Sequence, residues 1–286
     1  MDGGGKRFRP LLVLLASQLG RGADPADVQR LAVAVEFIHT ATLLHDDVVA
    51  QSDVRRGKRV AYRIWGAEPS VLSGDYLYSR AFNLLTEVGE LSILDALSSA
   101  TTQMARGEVL QLLRSYSTAT TREEYLEVIR GKTASLISAS CRSAGILGGL
   151  GTEAVCALER FGMDLGLAFQ IMDDVLDYSA DRGALGKAVG KDFTEGKVTL
   201  PVIILLEQLA PEARQKAVGW FVGETPSEED FAAILHLMKG HGTLAAATDV
   251  ALEHGKRAAS ELDCLPDGAA RMSLADLCTY VIRRQS

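Results

Sequence analysis

Hydrophobic positions recur three and four residues apart along nearly the whole chain and nowhere alternate over the length of a useful strand. The apolar run at 10–19 ends at Gly20. Pro25 opens a second helix that runs to about Val49, where polar residues 51–59 close it. Further helices are predicted over 69–88 and 90–113. After the polar loop at 115–121, Thr121 and Glu124 stand at capping-box spacing and mark another start. A glycine-rich turn at 148–151 precedes one long helix over 152–179, and a Gly- and Lys-rich loop follows to Lys197. Pro201 begins the next helix, and 211–286 is helical again, with breaks near 223–226, 240–242 and 266–268. The pattern predicts an all-α fold and a single domain over residues 1–286.

Two of these helices carry an anomaly. Leu44-His45-Asp46-Asp47-Val48-Val49 and Phe169-Gln170-Ile171-Met172-Asp173-Asp174-Val175-Leu176-Asp177 each set adjacent carboxylates in an apolar run. Burying an unpaired carboxylate is costly, so these acids need cations, hydrogen bonds or water before them. Asp173 and Asp177, four residues apart, lie roughly 40° apart around a helix and can face one cavity. Oxygen ligands of this kind suit Mg²⁺, and two such clusters point to one shared metal site.

Composition narrows the picture. The 286 residues are 47% hydrophobic and 23% charged, with only 7 prolines, ample for a large core. A net charge of −7 argues against a general nucleic-acid binder. The four cysteines, Cys141, Cys156, Cys264 and Cys278, are widely spaced in apolar helical patterns and read as reduced core residues of a cytoplasmic protein. The longest apolar stretches, 11–16 and 200–206, fall short of a membrane helix. No signal peptide is visible and a soluble protein is expected.

Basic residues accompany the acids: Lys6, Arg7 and Arg9, then Arg55 and Arg56, Lys132, and Lys187, Lys191 and Lys197. Carboxylates bridged by Mg²⁺ and flanked by Arg and Lys hold a diphosphate. The apolar residues beside them imply a greasy tail on the substrate. Each residue also has a plainer reading: Arg55 and Arg56 as a solvated face, His39 as a satisfied core histidine, Ala41 and Thr42 as close helix packing. Gly3-Gly4-Gly5-Lys6 lacks the spacing of a nucleotide-binding loop.

Taken in order, Gly4-Gly5-Lys6-Arg7-Phe8-Arg9-Pro10, Glu36-Phe37-Ile38-His39-Thr40-Ala41-Thr42-Leu43-Leu44-His45-Asp46-Asp47, Arg55-Arg56-Gly57, Gly74-Asp75, Gly107-Glu108, Gln111, Lys132-Thr133, the Phe169-Gln170 stretch and Gly186-Lys187 through Gly196-Lys197 cover nearly the whole chain. This ordered set resembles the trans-type isoprenyl diphosphate synthases, most closely the long-chain members that make quinone side chains. The resemblance implies a helical bundle around a deep central cavity, the isoprenoid synthase fold, usually a homodimer. It implies Mg²⁺-dependent condensation of isopentenyl diphosphate with an allylic diphosphate, farnesyl or geranyl, through an allylic carbocation. It assigns Asp46, Asp47, Asp173 and Asp177 to the metal and allylic site, with Asp174 beside them. Arg55, Lys132, Lys187 and Lys197 are its anion contacts, and Lys6, Arg9, His39 and Arg56 its isopentenyl diphosphate site. Thr133 and Gln170 would line the reacting carbons. Membrane contact is expected only transiently, during release of a long apolar product.

The first motif departs from the family's Asp-Asp-x-x-Asp, because Ala50 stands at the third aspartate. Asp53 lies on nearly the same helical face as Asp46 but about 10 Å further along, too far for the same ion. Weakened allylic binding or turnover is expected. A catalytically impaired or non-catalytic subunit of a heteromeric synthase is the alternative, although Asp173, Asp174, Lys187 and Arg56 are retained. A terpene cyclase would share the acidic helix without needing a second diphosphate pocket at Lys6, Arg9 and His39. Small Ala41 and Thr42, one turn before Asp46, leave room for a long product, around octaprenyl to decaprenyl, with Phe37 and Ile38 as a floor. Since the first motif begins almost at residue 1, an absent upstream helix is one reading of this start.

Overall fold

The computed structural model describes residues 7–51, 53–55, 58–179, 190–221 and 227–284. The chain is helical nearly throughout: α1 (Phe8–Ser17), α2 (Pro25–Val49), α3 (Ala61–Trp65), α4 (Ala67–Val88) and α5 (Leu91–Arg114) are followed by α6 (Arg122–Ile129) and α7 (Ser135–Leu147). Next come α8 (Thr152–Ser179), the single turn α9 (Lys191–Thr194), α10 (Leu200–Gln208) and α11 (Pro211–Gly219). The chain closes with α12 (Glu228–His241), α13 (Thr243–Glu261) and α14 (Ala269–Arg283). Among the described residues the one departure into strand is an antiparallel ladder, β1 (Val54–Arg55) on β2 (Lys58–Arg59), within the polar stretch after α2.

Helix ends follow local chemistry. Asp24 accepts the Ala26 N–H at 2.8 Å and Pro25 occupies the first turn of α2, where its missing donor costs nothing. Thr121 and Glu124 form the reciprocal capping box expected of them, each side chain bonding the other's backbone N–H. Between α6 and α7 the helix widens into a π-helical segment, Arg130–Ala134, which nothing in the hydrophobic spacing indicates.

Two compact units emerge. The first comprises Met1–Thr102, Leu136–Gly162 and Ala259–Asp276, and its core includes Leu12, Leu31, Val35, Ile38, Leu85 and Ile93. Within it α2 lies along α4. The second comprises Gln103–Ser135, Met163–Ala258 and Leu277–Ser286, with a core in which Phe193, Phe221 and Phe231 stack beside Ile171, Val175 and the almost wholly buried α10. The four cysteines are all free; Cys141 and Cys278 are buried, but Cys264 sits in a short 3₁₀ turn and is exposed, correcting its expected place in a core.

Candidate active site

In the second unit, the part of α5 after Thr102 crosses the π-helical segment backbone against backbone. A Cβ on Gly107 would stand 2.6 Å from the Lys132 nitrogen, and one on Gly131 2.8 Å from the Gln103 carbonyl oxygen, so only glycine permits this approach. The crossing sets Lys132 beside α5, where its Nζ donates to Gln111 Oε1 at 2.7 Å and pairs with Glu108. Thr133, the next residue, donates from Oγ1 to Gln170 Oε1 on α8 at 2.7 Å.

One helical turn along α8, Gln170 Nε2 donates to Asp174 Oδ1 at 2.8 Å, and the Tyr125 hydroxyl of α6 donates to Asp174 Oδ2 at 2.6 Å. Asp174 is only 4% exposed. Burial and the nearby Asp192 push its carboxyl well above the usual range, while the Tyr125 and Gln170 donors oppose the shift. Tyr125 is raised well above an ordinary phenol, first by burial and then by Asp174, and so acts as a donor. Lys132, Thr133, Gln170, Asp174 and Lys197, all five predicted from sequence, line one cavity of about 100 Å³ together with Gln111, Arg114, Tyr125 and Asp192.

Lys197 donates to Asp192 at 3.1 Å and pairs with Glu195 at 2.7 Å. Burial would lower its pKa, but the two carboxylates outweigh it and hold the ammonium charged. Asp173 lies outside that cavity lining. Its Oδ1 accepts from Arg284, 2.7 Å away at the end of α14. Asp177 is differently employed: its carboxylate accepts the Lys191 and Asp192 backbone N–H groups at 3.3 and 2.9 Å and so anchors the single turn of α9. Burial and Asp192 push its pKa up to about 7.

In the first unit, Asp46 and Asp47 occupy the last turn of α2, with Asp47 buried. His45 explains the Gly74-Asp75 pair: its Nε2 lies 3.2 Å from the Val71 carbonyl and 3.3 Å from Asp75 Oδ1, and a Cβ on Gly74 would fall 2.3 Å from that nitrogen. The His45 ring also stacks on Tyr78, whose hydroxyl pKa is raised by burial and then by Asp46. Ala50 caps the helix, its N–H donating to the Asp46 carbonyl at 2.8 Å, and is exposed. Asp53 has left the helix and pairs with Arg63 at 2.6 Å.

Ala41 is fully buried, whereas Thr42 is half-buried and returns its hydroxyl to the His39 carbonyl at 2.8 Å. Arg9 on α1 and His39 on α2 are half-buried. Lys6, Arg56 and Lys187 lie outside the described residues, and of Arg55 only the backbone in β1 is described.

Among the described residues no group of three or more His, Cys, Asp or Glu side chains forms a ready-made metal cage. The carboxylates of Asp46 and Asp47 in the first unit, and that of Asp173 in the second, each offer hard oxygens of the kind that suit a divalent cation such as Mg²⁺, which keeps several waters and takes one or two protein carboxylates plus substrate phosphates. Sequence reasoning missed Tyr125, Asp192 and Arg284. Tyr125 and Asp192 carried one weak signal each, a polar tip in an apolar helical stripe and an acid among lysines. Arg284 carried none.

An all-α chain with acidic pairs on two of its helices and a lysine-lined polar cavity is of the isoprenoid synthase class. The chain belongs to the polyprenyl synthetase family, whose profile matches residues 1–238, and is by that membership a prenyltransferase. It is 40% identical to the octaprenyl diphosphate synthase of Escherichia coli K12 over 284 residues, 99% of this chain and 87% of that protein. The crystal structure of a Caulobacter crescentus polyprenyl synthase complexed with calcium and isoprenyl diphosphate superposes with a TM-score of 0.93 at 42% identity, over 100% of this chain and 87% of the other. A decaprenyl diphosphate synthase from Rhodobacter capsulatus gives 0.93 and 44% over 100% and 88% of the two chains. No helix among the described residues is long and apolar enough to cross a membrane.

Proposed function

We propose that this protein condenses isopentenyl diphosphate head to tail with an allylic diphosphate, farnesyl or geranyl, to build a long-chain all-trans polyprenyl diphosphate. The observation that carries the reading is the convergence of Lys132, Thr133, Gln170, Asp174 and Lys197 on one cavity, two cations and a polar relay drawn from separate parts of the sequence. In the reaction, the allylic C1–O bond breaks with its electron pair leaving on diphosphate. The double bond of isopentenyl diphosphate supplies the pair for the new C–C bond. Loss of a proton from the carbon beside the resulting cation restores a double bond, and each cycle adds five carbons and releases inorganic diphosphate.

Lys132, paired with Glu108, and Lys197, held charged by Asp192 and Glu195, bind the departing diphosphate. Arg55 and Lys187 join them, and Lys6, Arg9, His39 and Arg56 bind the second diphosphate. Asp46, Asp47 and Asp173 would hold Mg²⁺, with Asp177 as a further ligand once released from α9. When bound, Mg²⁺ supplies positive charge that neutralises the leaving group. The calcium in the Caulobacter complex supports a divalent ion in this role. Thr133 and Gln170 face the reacting carbons.

Residues 1–286 act as one polyprenyl synthetase domain in a cytoplasmic homodimer. Exposed Leu72 and Tyr76, one turn apart on α4, support burial against a second copy. Incubating the purified protein with isopentenyl diphosphate, farnesyl or geranyl diphosphate and Mg²⁺ tests the reading by chromatography of the products. Long polyprenyl diphosphates support it. Silence from the folded protein and from an Ala50→Asp variant overturns it in favour of a non-catalytic subunit.

A further inference from the structure

The relay through Asp174 has a direction, and the direction bears on the chemistry. A phenol has one proton to give, and that of Tyr125 goes to Asp174 Oδ2 at 2.6 Å. The other oxygen, Oδ1, accepts from the Gln170 amide nitrogen at 2.8 Å. A carboxylate held as an acceptor at both oxygens obliges Gln170 to turn its NH₂ end toward it, which leaves Gln170 Oε1 facing Thr133 at 2.7 Å. A carbonyl oxygen accepts only, so Thr133 commits its single hydroxyl proton there. What remains of Thr133 toward the cavity is lone pairs, an electron-rich face matched to a developing cation and ill-matched to an anion.

We propose that Tyr125 is a positioning residue for prenyl transfer: through Asp174 and Gln170 it dictates which way the Thr133 hydroxyl points, so that oxygen lone pairs rather than a proton face the allylic carbon as it ionises. The assignment rests on the prenyl-transfer reading above. Tyr125 shares the cavity lining, but its one hydroxyl proton is committed to Asp174. It is buried against Asp174, so the effect of losing its hydroxyl passes down the relay. Without that hydroxyl, Asp174 Oδ2 loses the donor that fixes the carboxylate, which can then swing off the Gln170 nitrogen; only then is Gln170 able to reverse and Thr133 free to aim its proton into the cavity.

The test compares wild type with Tyr125→Phe, which keeps the ring and removes the hydroxyl. Two unreactive ligands are used: an allylic diphosphate with sulfur in place of the bridging oxygen, and a diphosphate carrying a protonated amine where the reacting carbon would stand. A hydrogen bond to a charged group is worth about a tenfold factor. The expected result is a kcat about tenfold lower with both KM values nearly unchanged, the amine analogue bound about tenfold more weakly, and the sulfur analogue bound as before. Asp174→Asn, similar in shape but able to present either end to Gln170, should show the same selective loss. The double variant should be no worse than either single one, and Asp174→Asn decides alone if Tyr125→Phe does not fold. Equal weakening of both analogues, or of neither, in a variant of an active wild type overturns the role of Tyr125. A wild type that binds neither diphosphate overturns the prenyl-transfer reading itself.

Discussion

Arg284, at the end of α14, donates to Asp173 Oδ1 at 2.7 Å and, from the same nitrogen, to the Phe169 carbonyl one turn earlier on α8, also at 2.7 Å. Its guanidinium lies 4.0 Å over the Phe169 ring, so a cation far along the chain is clasped by the helix that carries the acidic motif. One Asp173 oxygen is thereby fixed and the carboxylate oriented. If Asp173 holds Mg²⁺ as proposed, Arg284→Ala should lower activity about tenfold and raise the Mg²⁺ concentration needed for half-activation, as loss of a partner that orients a metal ligand does. Arg284→Lys, which restores the charge without the planar fork, should recover only part. Initial rates across a Mg²⁺ series check both.

Ala50 offers a gain. It is exposed, and its N–H still bonds the Asp46 carbonyl, so the position continues the α2 path one turn beyond Asp46. Ala50→Asp should leave the melting temperature nearly unchanged and raise turnover with limiting allylic diphosphate about tenfold, through a carboxylate convergent with Asp46. Steady-state kinetics at fixed Mg²⁺ measures it.

The crossing of α5 with the π-helical segment predicts a loss. In Gly131→Ala the added methyl would meet the Gln103 carbonyl oxygen at 2.8 Å and the Gly107 Cα at 3.3 Å, both backbone. Overpacking of this kind costs about 1–3 kcal/mol. Urea unfolding should show it, and activity should fall further than stability because Lys132 and Thr133 move with the backbone.

Asp177 sets a pH dependence in the metal-free protein. Its folded pKa of about 7 stands above its ordinary value of 3.8. The stability it contributes is therefore fully present below the unfolded pKa and is lost as pH rises through 7. In the presence of a chelator the melting temperature should decline between about pH 4 and pH 8. Asp177→Asn, which keeps an acceptor for the α9 backbone, should flatten that decline. Thermal melts across a buffer series decide it.

Much of the molecule was legible in its hydrophobic spacing. α2 and α8 begin and end where the pattern places them, because Asp24 and Pro25 mark one start, glycines mark the other, and both helices bury a long apolar stripe. The gathering of Lys132, Thr133, Gln170, Asp174 and Lys197 was legible only through resemblance. The contacts that organise them were not, since Tyr125 and Asp174 are 49 residues apart and no local rule couples them. Helical spacing correctly sets Asp173 and Asp177 on neighbouring turns, but it is blind to the α9 backbone that engages Asp177. Likewise the stretch after α2 reads as polar loop, and that Asp53 turns aside to Arg63 depends on a ladder of two residues per strand, too short to leave a pattern.

The π-helical segment at Arg130–Ala134 carries one residue more than a regular helix would use for the same path. Tightening it into α geometry would swing everything before it against everything after it by about 100°. Lys132 and Thr133 would then part from Gln111 and Gln170. A substitution there is a local matter, but a deletion or insertion is a change of register. The count of residues between Tyr125 and Ala134 is thereby as much a part of the chemistry as the side chains that fill it.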